Sequence, residues 1–240
     1  EDNKKQEEEP AQDDKLMESN FEGSVESFDE LNLKPELLRG IYGYGFEKPS
    51  IIQQKAILPI IQGYDVIAQA QSGTGKTAAF AIGTLQLVDP TKDEIQCLIL
   101  SPTRELAHQT SIVYSFLGEY LKVKVTLLIG GTKLGADIDK LKEGPQVLVG
   151  SPGRVKDLIK RKKITLSYLN SFVLDEADEM LSKGFLEDIK EIISIIPTTA
   201  KILLFSATMT KEVVEMTTKF MKDPVKILVK NEELTLEGIK

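Results

Sequence analysis

Seven apolar runs punctuate the chain from residue 65 onward, at 65–70, 97–101, 123–129, 146–150, 171–175, 201–206 and 225–229. They are short, rich in Val, Ile and Leu, and show little alternation of apolar with polar residues. A strand with one face in water alternates, whereas a run that stays apolar reads as a strand covered on both faces of a parallel sheet. Between the runs lie stretches that predict helices, near 76–87, 104–119, 135–142, 154–160, 185–195 and 210–220. Strand and helix in regular alternation predict the α/β class: a doubly wound, mostly parallel sheet with helices on both faces and ligands at the C-terminal ends of the strands. Upstream, residues 28–63 read as helical, broken at Gly43-Tyr44-Gly45. Pro35 suits a helix start, and Ser50 suits the cap of a helix carrying Ile51, Ile52, Ala56 and Ile57. On pattern alone, Gln53 is a surface residue of that helix.

The first 26 residues break the pattern altogether. They hold ten acids, three bases and few large apolar residues. Such a segment buries too little to offset its ordering entropy, so residues 1–26 are expected to form a disordered acidic tail, ahead of one domain over 27–240. The tail also accounts for the formal net charge of -7, because the remainder carries 27 acids and 27 bases. Global charge therefore announces no nucleic-acid partner, and any such reading must rest on local residues. The single cysteine, Cys97, excludes an internal disulfide; it lies in an apolar run and reads as a buried structural thiol. No apolar stretch approaches the roughly 18 residues of a membrane span.

The stretch Ala70-Gln71-Ser72-Gly73-Thr74-Gly75-Lys76-Thr77 follows the apolar run Val66-Ile67-Ala68 and opens into a predicted helix. Strand, glycine-rich turn and helix start are the setting of a phosphate-binding loop. Gly73 and Gly75 let successive backbone N–H groups converge on a phosphate, and the helix N-terminus adds unpaired donors and a favourable dipole. Lys76 reaches the β- and γ-phosphates, and Thr77 offers its hydroxyl to Mg²⁺. The strict pattern begins with glycine where this chain has Ala70, which is small enough for the loop to be kept. The bland alternative is a flexible turn with a solvated lysine.

A second run, Phe172-Val173-Leu174, ends in Asp175-Glu176. In a parallel sheet these carboxylates share an edge with the phosphate loop, where Asp175 suits a hard metal ion and Glu176 suits a water to be activated. Ser206-Ala207-Thr208 ends another run; its hydroxyls either bond Asp178 or cap the helix at 210–220. Three further strand ends carry Pro102-Thr103-Arg104, Gly130-Gly131 and Ser151-Pro152-Gly153-Arg154. Hydroxyls, glycine amides, helix starts and arginines suit a sugar–phosphate backbone, whereas each piece alone is a plain βα loop. His108, the only histidine, falls within a predicted helix and reads as a surface or packing residue.

Taken together, residues 70–77, 102–107, 130–131, 151–154, Asp175-Glu176-Ala177-Asp178 and 206–208 resemble the ordered motifs of the DEAD-box RNA helicases. Phe28, Phe46 and Gln53 resemble that family's adenine-recognition segment. Stretches such as Leu38-Arg39-Gly40-Ile41-Tyr42 and Gly63-Tyr64-Asp65-Val66 are similar to its translation initiation factor 4A branch, with the exon-junction branch close behind. The resemblance implies a RecA-like fold, ATP and Mg²⁺ as cofactors, and RNA as partner. It implies that Gln53 reads the adenine edge, Phe46 packs on the ring and Phe28 supports both. It implies that Lys76 and Thr77 handle phosphate and metal, with Asp175 serving the metal and Glu176 the water. Ser206 and Thr208 would couple with Asp178, and Thr103, Arg104, Gly131 and Arg154 would hold RNA. Ser151 departs from the family's usual threonine but keeps the hydroxyl. On the same ground the chain is expected to be the N-terminal half of a helicase, working with a second domain in cis and initiation scaffold proteins in the cytoplasm. The exon-junction alternative would make it an ATP-gated RNA clamp in the nucleus.

Overall fold

Each of the seven apolar runs forms a strand in the computed structural model, which describes residues 19–229. The strands are β1 (Val66–Gln69), β2 (Cys97–Leu100), β3 (Val125–Leu128), β4 (Val147–Gly150), β5 (Ser171–Leu174), β6 (Lys201–Ser206) and β7 (Val225–Leu228). They make one sheet in the order β3-β4-β2-β5-β6-β1-β7, and every neighbouring pair runs parallel. β2, β4 and β5, inside the sheet, are buried at every position, while the edge strands β3 and β7 alternate buried with half-buried residues. Lack of alternation in sequence thus marks the interior strands.

Successive side chains of a strand point to opposite faces, and the core divides accordingly. Val66, Ala68, Cys97, Ile99, Val147, Val149, Val173, Leu203 and Phe205 pack on one face. That face is covered by α1 (Pro35–Tyr44), α2 (Ile51–Ile61), α3 (Lys76–Leu87) and α4 (Arg104–Leu117). Ile67, Leu98, Leu100, Leu148, Phe172, Leu174, Ile202 and Leu204 pack on the other. There the cover is α5 (Leu134–Leu141), α6 (Pro152–Lys160), α7 (Ala177–Ser182), α8 (Leu186–Ile195) and α9 (Lys211–Phe220). The doubly wound sheet expected from the sequence is the observed architecture.

The break expected at Gly43-Tyr44-Gly45 falls at its last residue: the first helix runs to Tyr44 and ends at Gly45, whose φ of 104° is open to glycine. Three local expectations differ. Helix α7 has no counterpart in the periodicity, because its six residues are too few to display a face. Gln53 is not on the surface but 2% exposed, for reasons given below. Finally, the placed chain begins before residue 27. The edge of β7 has free backbone donors, and Asn20 Oδ1 accepts from Lys226 N at 2.7 Å while Ser19 Oγ accepts from Leu228 N at 3.0 Å. Val25 is buried and its N–H donates to Gln54 O at 3.2 Å. Of the expected tail, residues 1–18 lie outside the described residues.

Candidate nucleotide and nucleic-acid site

The phosphate loop leaves β1 with Ala70 buried and its N–H donated to Ser206 O at 3.0 Å, tying two strand ends together. Thr74 Oγ1 donates to Gln71 O at 2.7 Å and closes the turn. Gly75 then caps α3 with φ of 87°, a conformation costly for any side chain. A Cβ there would also sit 2.6 Å from Gln53 Nε2 and 2.7 Å from Ser50 Oγ. Glycine is therefore required twice at this position, by backbone angle and by close approach.

Lys76, the first residue of α3, is buried between the carboxylates that end β5. Its Nζ lies 3.2 Å from Asp175 Oδ1 and bonds Glu176 Oε1. Burial alone would lower the lysine pKa; the Asp175 and Glu176 charges outweigh it and hold the ammonium above its ordinary value. Burial raises the Asp175 carboxyl against the pull of Lys76, and the Glu176 charge adds to the rise. Ser72 Oγ donates to Glu176 Oε1 at 3.2 Å, so the loop and the strand end share this carboxylate. Glu176 sits at φ of 53°, a left-handed conformation uncommon outside glycine, and it caps α7. Buried Asp175 Oδ1 has the ion pair with Lys76 but no hydrogen bond among the described residues. A hard oxygen held in this way fits a magnesium ion brought by a nucleotide. Among the described residues no group of three or more His, Cys, Asp and Glu forms a metal cage, so any such ion would share its ligands with phosphate and water.

The two alternatives for Ser206 and Thr208 separate cleanly. Thr208 Oγ1 donates to Asp178 Oδ2 at 2.8 Å, Thr208 N donates to the same oxygen at 3.2 Å, and Asp178 N donates to Ser206 Oγ at 3.2 Å. The helix cap for α9 is Thr210 instead, accepting from Val213 N at 3.3 Å. The ends of β5 and β6 are thus linked through side chains.

Next to the loop lies a cleft of about 670 Å³, lined by Phe46, Lys48, Pro49, Ser50, Gln53 and residues 71–75. Gln53 Oε1 accepts from Ser50 N at 2.9 Å, and its Nε2 donates to Gly75 O at 3.1 Å. These two bonds explain its burial: an amide paired at both ends can be desolvated. Ser50 Oγ is buried without a partner among the described residues. Phe28 is buried in the core behind the cleft, 6.4 Å from the Phe46 ring.

The third region spans the ends of β2, β3 and β4. Pro102 is buried, and Thr103 caps α4, accepting from Leu106 N at 3.2 Å. Arg104 is exposed, makes no ion pair among the described residues, and lies against Gly131, where a Cβ would meet its Nη1 at 2.7 Å. Gly130, beside it, would present a Cβ 3.7 Å from the same guanidinium. Ser151, Pro152 and Gly153 start α6. Arg154 is paired within the protein: its Nη1 donates to Asp137 Oδ2 at 3.0 Å and its Nη2 to Thr132 O at 3.0 Å. Thr132 Oγ1 donates to the same Asp137 oxygen at 3.1 Å. The Arg154 charge is thus matched by a fully buried carboxylate. Asp137 and Thr132 escaped sequence reasoning because their spacing in α5 and its leading loop forms no motif. Their only signal is an acid on an otherwise apolar helix face.

Two residues fall outside all three regions. His108 is exposed on α4. Cys97 is buried, with its thiol pushed up to about 12 by that burial, against hydrogen bonds that favour the thiolate.

A parallel sheet with a phosphate loop at one strand end and paired carboxylates at another defines a P-loop nucleotide-binding domain. The DEAD/DEAH box helicase family model matches residues 50–217, and the chain belongs to that family. It is 57% identical over 224 residues to the ATP-dependent RNA helicase eIF4A of Chaetomium globosum, covering 93% of this chain and 56% of the relative. The eIF4A of Neosartorya fischeri is 58% identical over the same length, again covering 93% and 56%. Among solved structures, a DEAD box protein from Methanococcus jannaschii superposes with a TM-score of 0.81 at 40% identity, covering 86% of this chain and 57% of that one. The Dbp5 chain of Saccharomyces cerevisiae, solved with Gle1 and IP6, gives 0.79 at 36% identity, covering 87% and 54%. The chain spans about half the length of the curated relatives it matches.

Proposed function

We propose that the chain is the ATP-binding half of an ATP-dependent RNA helicase that unwinds structured mRNA leaders in translation initiation. One observation carries this reading: Lys76, clamped between Asp175 and Glu176, directly follows the loop residues 71–75, which line a cleft together with the buried amide of Gln53. The similarity to eIF4A helicases favours the initiation factor over the exon-junction clamp, and the cytoplasm over the nucleus. The remainder of the parent protein supplies the second helicase domain, and initiation scaffold proteins hold the assembly. Among the described residues no helix is long and apolar enough to cross a membrane.

Lys76 exchanges its carboxylates for the β- and γ-phosphates when nucleotide binds. Glu176, released from the ammonium, orients a water and takes its proton. Magnesium bound with the nucleotide supplies positive charge at the phosphates; Asp175 and Thr77 are the groups of this chain that would hold it. Loop amides at 71–75 cradle the phosphates, with Ala70 at the start of the turn. The Asp178–Ser206–Thr208 bonds tie this strand end to the end of β6 and would couple hydrolysis to RNA binding. RNA lies by its backbone across Thr103, Arg104, Gly130, Gly131, Ser151 and Gly153, with Arg104 the free charge and Arg154 bracing the loop.

Gln53 decides the nucleotide. A side-chain amide has two acceptor lone pairs and two donor hydrogens. Ser50 N and Gly75 O use one of each. The remaining lone pair and hydrogen match the donor and acceptor on adenine's edge and mismatch guanine's two acceptors. ADP is expected to bind more tightly than GDP, and Gln53→Ala to narrow the preference by about tenfold, from two hydrogen bonds of ~0.5–1.5 kcal/mol each. Calorimetric titration checks this; equal affinity of the unmodified chain for both nucleotides would sink the adenine reading.

A further inference from the structure

We propose that Tyr44, braced by Phe116, is a positioning residue that presets the Phe46 ring for the nucleotide base. This rests on the nucleotide reading above and adds the device that makes its base pocket rigid.

Phe46 lies between α1 and α2, outside regular structure. Its backbone is anchored by Phe46 N donating to Ile41 O at 3.3 Å, just after the left-handed Gly45. That anchor leaves the side-chain torsions free. The ring is half-buried and lines the cleft together with Gln53. Two rings flank it: Phe28, tilted at 6.4 Å and 55°, and Tyr44, which alone lies parallel to it, stacked at 4.9 Å between centroids and 19° between planes. Tyr44 is in turn held by Phe116, edge-on at 5.7 Å and 73°. The three rings form a line from the last turn of α4, across the end of α1, to the cleft wall.

The outer two rings are poorly explained by folding alone. Tyr44 is 40% exposed and Phe116 is 54% exposed, and neither belongs to the buried core. Offset-stacked and edge-to-face pairs nonetheless have preferred geometries, so each ring restricts the next. A ring already fixed in its binding orientation loses less freedom when a base stacks on it, which strengthens binding without a new contact to the ligand. Tyr44 therefore acts on the base through Phe46 and has no part in phosphate binding. Its effect must then vanish when either the base or Phe46 is removed.

The test uses residues 1–240 and isothermal titration calorimetry, since the chain has no tryptophan to report binding by fluorescence. The probes are ADP and inorganic pyrophosphate, which lacks the base. Tyr44→Ala is expected to weaken ADP about 3–10-fold, the range an aromatic pair contributes, and to leave pyrophosphate within twofold. Tyr44→Phe keeps the stack and should bind ADP like the unmodified chain. Tyr44→Leu keeps apolar cover without a flat ring and should lose ADP affinity, and Phe116→Ala should give a smaller loss. In a Phe46→Ala background, Tyr44→Ala should add nothing, the signature of action through that ring. The proposal is overturned if Tyr44→Ala and Tyr44→Leu bind ADP normally, or if they weaken ADP and pyrophosphate alike. An unmodified chain that binds ADP no better than pyrophosphate would instead remove the base pocket itself, and this proposal with it.

Discussion

Glu176→Gln is expected to lower the ATP turnover of the parent helicase by about 10²–10⁴-fold, the usual contribution of a positioned general base, with ADP affinity kept within a few-fold. The amide preserves the shape of the side chain and an acceptor for Ser72 Oγ, so the loop should keep its conformation. It removes the proton-accepting carboxylate. Lys76 retains its second partner, Asp175, at 3.2 Å, and remains available to phosphate. The left-handed backbone at Glu176 costs glutamine about as much as glutamate, so stability should change little. That strained residue aims one carboxylate from the end of β5 at the phosphate loop, which is where a catalytic role would repay the strain. RNA-stimulated phosphate release by the parent protein, with ADP binding measured alongside, checks the expectation. Unchanged turnover in the variant would take Glu176 out of the mechanism.

Much of this arrangement is readable from the chain because it is local. The phosphate loop is a single stretch whose neighbours, strand and helix, lie beside it in sequence. The interior strands announce themselves because burial on both faces removes polar residues from every position. What resists reading is set by distant partners. Gln53 appears as a surface residue until Gly75 O, 22 residues on, accepts its hydrogen bond. Lys76 reads as a phosphate ligand, but its partner Glu176 stands 100 residues away. Thr208 and Asp178 are 30 apart, so local pattern favours a helix cap over the cross-strand bond that forms. Ser19 and Asn20 belong by composition to an acidic tail, yet the open edge of β7 gives them backbone donors to accept from. Arg154 looks like a free cation in a loop because the acid that neutralises it lies in another helix.

That last pairing carries the largest expected effect on stability. Asp137 is fully buried, while the Arg154 side chain is 14% exposed. Removing one partner of a buried pair leaves the other charged and unmatched, at a cost of roughly 3–5 kcal/mol. The two truncations should not be equal. Asp137→Ala leaves a guanidinium that still donates to Thr132 O and can turn toward water, so its cost belongs at the low end. Arg154→Ala leaves a carboxylate with no route to solvent and only the Thr132 hydroxyl to bond, so its cost belongs at the high end. In a domain of this size each 1 kcal/mol moves the melting midpoint by roughly 2–4 °C, and the two variants should differ by several degrees. The double variant should recover part of the loss, because neither charge is then stranded. RNA binding supplies an independent readout. If the Arg154 charge is already matched inside the protein, Arg154→Ala should weaken RNA without changing the slope of log K against log salt, whereas Arg104→Ala should flatten it by about one unit. Thermal melts that rank Asp137→Ala as the more damaging change would overturn the argument from unequal burial, and an Arg154→Ala slope that falls like that of Arg104→Ala would show that the Arg154 charge faces the phosphates.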